Sequence, residues 1–265
     1  MGGRGDELRL IGPRVVAMAS VFAEHIGVLG DTVAEIAEEK AAVAGTGTEA
    51  FLRLPQSSEI AEVVDRMVRK VAAEGTRPQT VRPPDTGPTG WTPPHGLSAA
   101  SAHLGEAAAR RLLELLGRPP AAPHRIAEVL SSVRLPARLS HHRIPGAELI
   151  VDSAINRTGV AAAIAHARRH WGGIDHVLLC LPDHKDVDGA AAELDGLPVT
   201  AVTLAEAHLR FGHRAPEHWG RRNAASLTPE TLAGLGDRVL VLGTVYFTGR
   251  ILDLIGADTE RLFTA

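Results

Sequence analysis

The sequence predicts an α/β protein whose later half is a doubly wound, mostly parallel sheet, and three observations point there. From residue 147 onward, short apolar runs alternate with alanine-rich helical stretches, the order that places helices on both faces of parallel strands. Hydrophobic residues make up 45% of the chain but aromatics only 3%. The core is therefore built of Ala, Val, Leu and Ile, as strands buried on both faces require. The chain's 265 residues suit one large domain or two smaller ones, a size at which folding buries about 70–75% of the unfolded surface.

The elements follow in order. Arg14 to Val21 is short, apolar and valine-rich, so it reads as a buried strand. After a loop, a helix runs from Asp31 to Ala44, with Thr32 and Glu35 at capping-box spacing and Gly45 as the stop. A second helix covers 58–73, where Ile60, Val63, Val64, Met67, Val68 and Val71 form one stripe before Gly75. Residues 76–97 carry six prolines with Gly, Thr and Asp, which reads as a loop or connection. Helices are expected at 98–116 and 124–133, punctuated by Arg118-Pro119-Pro120 and Leu135-Pro136. Then come strands at 148–152, 175–181, 198–203 and 238–242, with helices at 158–170, 186–194, 229–235 and 245–254. Ligands approach such a sheet at the carboxyl ends of its strands.

Composition excludes several classes. A formal net charge of -3 argues against general binding to nucleic acid or an anionic membrane surface. The single cysteine, Cys180, permits no internal disulfide and no cysteine-based zinc cage. It sits in the run Val177-Leu178-Leu179-Cys180-Leu181 and reads as a small buried hydrophobe. The first residues have no apolar core and so do not read as a signal peptide, and no stretch reaches the about 18 apolar residues of a membrane span. A soluble cytoplasmic protein is expected.

Residues 2–41 carry a composite motif. They read Gly2-Gly3-Arg4-Gly5-Asp6, a strand, Ala23-Glu24-His25, Leu29-Gly30-Asp31-Thr32, and Glu35-Ile36-Ala37-Glu38-Glu39-Lys40-Ala41. Further on come Pro136-Ala137-Arg138, Leu149-Ile150-Val151-Asp152-Ser153-Ala154-Ile155-Asn156, Asp183-His184-Lys185-Asp186, and Val241-Leu242-Gly243-Thr244-Val245-Tyr246. In order and spacing these resemble the folylpolyglutamate synthases of the Mur ligase family. That family shows a Gly-Gly-Arg turn, an Asp-His pair, Leu-Gly-Asp-Thr, Ile-Ala-x-Glu-Lys-Ala, a Pro-Gly-Arg hinge, Asp-Gly-Ala-His-Asn and a late Gly-Ser-Leu-Tyr. The resemblance implies a partial central Mur-ligase-type domain over 1–136, followed by a Rossmann-like C-terminal domain with a mostly parallel sheet over 137–265.

The same resemblance implies an ATP-dependent ligase that phosphorylates a carboxylate and lets an amine displace the phosphate, giving an amide. Such a transfer needs its negative charge neutralised. By resemblance His25 is a magnesium ligand. Lys40 is catalytic and metal-binding once carbamylated, since magnesium takes oxygen ligands and an ammonium offers none. Arg138 contacts ATP phosphate as a permanently charged donor, and Asp152, at a strand's carboxyl end, accepts hydrogen bonds from the nucleotide. Read without the resemblance, His25 is a solvated loop histidine and Lys40 an exposed helical partner of Glu35 or Glu39. Gly243 reads as a strand-end turn, and the remaining histidines, His141 and His142 among them, are expected at the surface.

The sequence also departs from the family. No Gly-x-x-x-x-Gly-Lys-Ser/Thr loop occurs in the 265 residues, and that loop's amides and lysine cradle the phosphates. Glu24 replaces the family's Asp, and Ile155 its histidine; an aliphatic side chain neither hydrogen-bonds nor moves protons. The expected protein is thus a subunit of a split carboxylate–amine ligase, inactive alone. A separately encoded phosphate-loop subunit would complete it as a heterodimer or heterotetramer, with small carboxylate and amine substrates. The alternatives are a non-catalytic homologue that binds or stabilises a true ligase, and a longer chain whose start lies upstream. A dehydrogenase is disfavoured, because no Gly-x-Gly-x-x-Gly follows any expected strand.

Overall fold

The computed structural model describes residues 3–24, 26–82, 99–206, 208–211, 214–260 and 263. The chain divides into two compact units that meet at Ser131/Ser132. Among the described residues no helix is long and apolar enough to cross a membrane.

The first unit opens with a single helical turn, α1 (Glu7–Leu10), and continues through β1 (Val15–Met18), α2 (Val33–Ala41), β2 (Ala50–Arg53), α3 (Ser58–Val71), β3 (Pro78–Thr80), α4 (Ala99–Leu115) and α5 (Pro123–Ser132). Its strands pair in the order β1-β2-β3, all parallel. Helices α2 and α3 cover one face, where Val16, Met18 and Phe51 meet Ala37, Ala41, Ile60, Val64, Met67 and Val68. The expected stripe on α3 is the buried one: Ile60, Val63, Val64, Met67 and Val68 all face inward. Burying each such side chain contributes about 1.5–3 kcal/mol. On the other face Leu52 and Leu54 pack against Leu104 of α4. Thr32 and Glu35 form the capping box that starts α2.

The second unit is a six-stranded sheet. It contains β4 (Ser140–Ile144), β5 (Ala147–Asp152), α6 (Arg157–Trp171), β6 (His176–Cys180), α7 (Val187–Glu193), β7 (Val199–Thr203), β8 (Gly220–Asn223), α8 (Pro229–Ala233), β9 (Arg238–Gly243) and α9 (Val245–Leu254). The strand order is β4-β5-β9-β6-β7-β8. Every pair is parallel except the β4–β5 hairpin, so the sheet is mostly parallel, as the sequence predicts. The strands bury both faces by simple alternation. Leu149, Val151, Leu178, Val239 and Val241 pack with Phe247, Ile251 and Leu252 of α9. Ile150, Val177, Leu179, Leu240 and Leu242 pack with Val160, Ala163 and Ile164 of α6 and Val187 and Ala190 of α7.

Five elements were not anticipated: α1, β2, β3, β4 and β8. Residues 76–97 are expected to be loop throughout, yet Pro78–Thr80 forms an edge strand beside β2. Proline is tolerated there because it opens an edge strand, where no neighbour needs its missing N–H.

One charge in the first unit is buried. Arg53, at the end of β2, is 7% exposed. Its Nη1 donates to the Ala61 carbonyl at 2.8 Å and pairs with Asp65 Oδ1 of α3 at 2.8 Å. Removing one partner of such a pair leaves an uncompensated buried ion. Asp65→Ala is expected to destabilise the first unit by about 2–3 kcal/mol, toward the low end because the Asp65 carboxylate retains some solvent. Arg53→Met combined with Asp65→Leu should recover most of that loss. Amide exchange of α3 in the two variants checks both statements.

Candidate active site

In the first unit Gly3 and Arg4 come together with the Glu-Glu-Lys end of α2. Gly3 has φ +101°, and a Cβ there would stand 2.5 Å from Glu39 Oε1, so only glycine fits the approach. The Arg4 amide donates to Glu39 Oε1 at 2.8 Å, its guanidinium pairs with the same carboxylate, and Glu38 lies 3.6 Å away. Glu35 is spent differently. Its carboxylate accepts the amides of Asp31 at 2.7 Å and Thr32 at 3.1 Å, and those bonds hold it below the usual carboxylate range.

Both acidic neighbours that could pair with Lys40 are therefore committed elsewhere. Lys40 is half-buried in the last turn of α2 and lines a cavity of about 200 Å³ at the carboxyl end of β1. Ser20, Val21, Phe22 and Glu24 line it too. Among the described residues the Lys40 ammonium has neither an ion pair nor a hydrogen bond. The solvent-exposed partnership with Glu35 or Glu39 that its helix suggests does not form. His25 lies outside the described residues.

In the second unit Arg138 and Asp152 are neighbours. Asp152 ends β5, and its Oδ2 accepts the Leu139 amide at 2.8 Å. Burial pushes the Asp152 carboxyl up, while the Leu139 and Ala154 amides and the charge of Arg138 pull it back. Arg138 is exposed between Ala137 at φ 53° and Leu139 at φ 48°. These are the only non-glycine residues in the left-handed region among those described. The turn is closed by Arg138 N donating to the Leu135 carbonyl, Ala137 N to Ser140 Oγ, and Ser153 N to the Ala137 carbonyl. A cavity of about 320 Å³ opens beside it, lined by Arg134, Arg138, Ser140, His141, His142 and Asp258.

The carboxyl ends of β6 and β9 carry the remaining motifs. Gly243 has φ +149°, and a Cβ there would meet the Cys180 carbonyl oxygen at 2.4 Å, so its glycine serves the strand-end turn. In Asp183-His184-Lys185-Asp186, Asp186 caps α7 through Gly189 N at 3.0 Å and also accepts Arg157 N at 2.9 Å. The exposed His184 is lowered by partial burial and by the charges of Lys185 and His208, with Asp183 opposing. His208 meets the Tyr246 ring edge-on at 5.2 Å. Arg214 pairs with Asp188 and donates to the Asp183 carbonyl at 3.3 Å. This rim carries Lys185 and Arg214 beside Asp183, Asp186 and Asp188, together with the imidazoles of His184 and His208.

The histidines divide. His141 is exposed as expected, but His142 is half-buried and lowered by that burial. His166 is buried at 8% exposure, which corrects the expectation that the remaining histidines lie at the surface. His141 Nε2 stands 2.8 Å from His166 Nε2, and the His141 and His170 rings meet edge-on at 4.3 Å. The spacing His166-Ala-Arg-Arg-His170, one helical turn, was the missed signal. Among the described residues no group of three such donors is arranged to hold a metal ion.

No protein-family model matches the chain, and no curated protein matches it either. Solved structures do. Mycobacterium tuberculosis folylpolyglutamate synthase complexed with ADP is similar at 19% identity and a TM-score of 0.73, over 97% of this chain and 67% of that one. A point mutant of L. casei FPGS gives 18% and 0.70, over 95% and 64%. The Thermotoga maritima folylpolyglutamate synthase gives 15% and 0.67, over 99% and 65%. The chain therefore has the folylpolyglutamate synthase and Mur ligase fold and spans about two thirds of the length of these neighbours.

Burial pushes the Cys180 thiol up to about 12. The thiolate is the reactive form, so the native protein is expected to resist iodoacetamide at neutral pH and to react at once after unfolding. Mass spectrometry of the alkylated chain gives the answer; rapid native labelling would mean that β6 opens at its carboxyl end.

Proposed function

We propose that this chain is a subunit of an ATP-dependent ligase that joins a carboxylate to an amine. The observation that carries the reading is the situation of Lys40. Its ammonium faces a cavity at a strand's carboxyl end while Glu35 and Glu39 are both occupied elsewhere. Lys40 is the residue that the resemblance marks for carbamylation, and carbon dioxide would add to its amine. The step balances: the amine and CO2 give a carbamate and release one proton. The new carboxylate would supply the oxygen donors a magnesium ion needs, alongside Glu24 in the same cavity and His25 next to it in sequence.

ATP would supply the phosphoryl group that activates the acid, and M. tuberculosis folylpolyglutamate synthase of the same fold carries ADP. In this chain the Arg138 guanidinium would neutralise phosphate charge, and Lys185, on the rim at the carboxyl end of β6, would meet the carboxylate of an incoming amino acid. The phosphate loop has no counterpart in these 265 residues, and we assign it to a separately encoded partner in a heterodimer or heterotetramer. Leu8, Leu10, Ile11, Phe22, Ile26 and Val28 are all large, apolar and exposed, and they flank β1, which pairs only with β2 among the described residues. Such a patch supports a protein contact.

A second reading, a non-catalytic homologue that stabilises a true ligase, is favoured by one residue. Ile155, where the family has histidine, packs against the α6–α7 side of the sheet and can do no acid–base work.

Co-expression with a phosphate-loop protein encoded beside it, followed by size-exclusion chromatography, should give a co-eluting pair that hydrolyses ATP when substrates are present. In that pair Lys40→Arg keeps the charge but cannot be carbamylated, so turnover is expected to fall by about a hundredfold or more. Wild-type protein in ¹³C-bicarbonate should show a carbamate resonance that the variant lacks. Unchanged turnover in Lys40→Arg would favour the stabilising homologue, and failure to co-elute would remove the partner.

A further inference from the structure

We propose that Asp152 is a positioning residue: its carboxylate holds the strained Pro136–Ser140 turn closed and so fixes where the Arg138 guanidinium stands. The resemblance implies a different task for Asp152, as an acceptor for the nucleotide. The geometry points elsewhere, because its Oδ2 is already occupied by the Leu139 amide at 2.8 Å.

Three observations carry the assignment. Ala137 and Leu139, on either side of Arg138, are both left-handed at φ 53° and 48°. Non-glycine residues hold that conformation only when their surroundings over-determine it. The surroundings here are specific: Ser140 Oγ takes the Ala137 amide, Ser153 N donates to the Ala137 carbonyl, and Asp152 takes the Leu139 amide. Of these, Asp152 is the one charged holder, and a hydrogen bond to a carboxylate is about twice as strong as a neutral one. Finally, among the described residues the Arg138 guanidinium has no hydrogen bond or ion pair of its own. Its position is set by its backbone, which Asp152 grips, and by the attraction between its charge and the Asp152 carboxylate.

The anchor continues inward. Ser153 Oγ lies 2.9 Å from Thr248 Oγ1, both side chains being buried, and Thr248 Oγ1 also donates to the Thr244 carbonyl at 3.2 Å. The turn bearing Arg138 is thus fastened to α9, which packs on the sheet through Phe247 and Ile251. A flexible exposed arginine would lose side-chain and backbone freedom on meeting a phosphate. One carried on a fastened turn has lost the backbone part beforehand. The inference rests on the proposed phosphate contact of Arg138 for its purpose, whereas the grip itself is a property of the chain alone.

The test starts from the full-length chain without ligand, reading amide exchange at Leu139 by NMR. Asp152→Ala should speed exchange at Leu139 about ten- to a hundredfold, while amides of β9 keep their rates. Asp152→Asn retains an acceptor oxygen and should recover most of the protection. A Leu139 rate unchanged in Asp152→Ala overturns the proposal. Should that variant fail to fold, a Leu139 rate in Asp152→Asn identical to wild type overturns it equally, since a neutral acceptor cannot match a charged one. In the co-eluting pair Asp152→Ala should raise KM for ATP, and Asp152→Asn should reverse most of that rise. A freed Leu139 amide with KM for ATP unaltered counts against positioning. If instead Arg138→Ala leaves KM for ATP unaltered, it is the phosphate contact and the ligase reading that fail, not the grip.

Discussion

Strand β9 is the constraint on which the second unit depends. It is the last strand among the described residues and one of the two central ones, hydrogen-bonded to β5 along one edge and β6 along the other. Its side chains alternate into both cores, Val239 and Val241 to one side and Leu240 and Leu242 to the other. Its start is pinned by Asp175, which accepts Arg238 N at 2.9 Å and Arg238 Nη2 at 2.6 Å, while the Asp175 amide donates back to the Arg238 carbonyl at 3.0 Å. The guanidinium holds the Asp175 carboxyl below its ordinary value. A depressed carboxyl contributes stability above its unfolded pKa, and that contribution fades as pH falls through the folded one. Because β9 enters between β5 and β6, helices α6 and α7 lie on one face and α8 and α9 on the other. The chain's direction of winding therefore changes at β9, where ligand sites of such sheets form.

That placement explains why the motif residues of the second unit collect where they do. Asp152 closes β5, Cys180 closes β6 and Gly243 closes β9, so three successive strands end side by side. Gly243 lets the backbone of β9 turn against the Cys180 carbonyl, where any side chain would collide. Thr244 then caps α9 through Phe247 N at 3.4 Å, and that helix supplies the Thr248 hydroxyl that meets Ser153. Packing, turn chemistry and capping thus converge on one rim of the sheet, and the strained turn at Arg138 is fastened to it.

Legibility in the sequence followed burial. Strands β5, β6, β7 and β9 are apolar runs with both faces buried, and each was readable. Strand β4 reads Ser-His-His-Arg-Ile and β8 reads Gly-Arg-Arg-Asn, and both lie at sheet edges. Edge strands favour charge and avoid the apolar pattern that identifies strands, so the features that keep them from aggregating also hid them. Strand β2, Ala-Phe-Leu-Arg, is buried at every position but too short to show a period. The candidate site residues Lys40, Arg138 and Asp152 come from the resemblance that the motif spacing carries. The left-handed turn was not, because the usual sign of that conformation is glycine, and here alanine and leucine adopt it under tertiary constraint. The vacancy beside Lys40 was equally hidden: the sequence shows Glu35 and Glu39 within reach, and only the fold shows them engaged with Thr32 and Arg4.

The two units thus carry devices of different kinds that share one property: neither improves stability. Pairing Lys40 with a free glutamate would add a few tenths of a kcal/mol to an exposed helix face. Instead the acids cap the helix and grip the Gly-Gly-Arg turn, leaving the ammonium to a cavity. Relaxing Ala137 and Leu139 would recover about 1–3 kcal/mol each; instead three hydrogen bonds hold them in place beneath an unpaired guanidinium. Costs of this kind concentrate where chemistry is done, and here they fall on the two cations that an ATP-dependent ligase of this fold would need. Ile155 argues the other way, together with the absence of a phosphate loop from these 265 residues. Ile155 removes a proton carrier, while Lys40 and Arg138, the cations given charge-handling roles in the proposed phosphoryl transfer, are present in the chain.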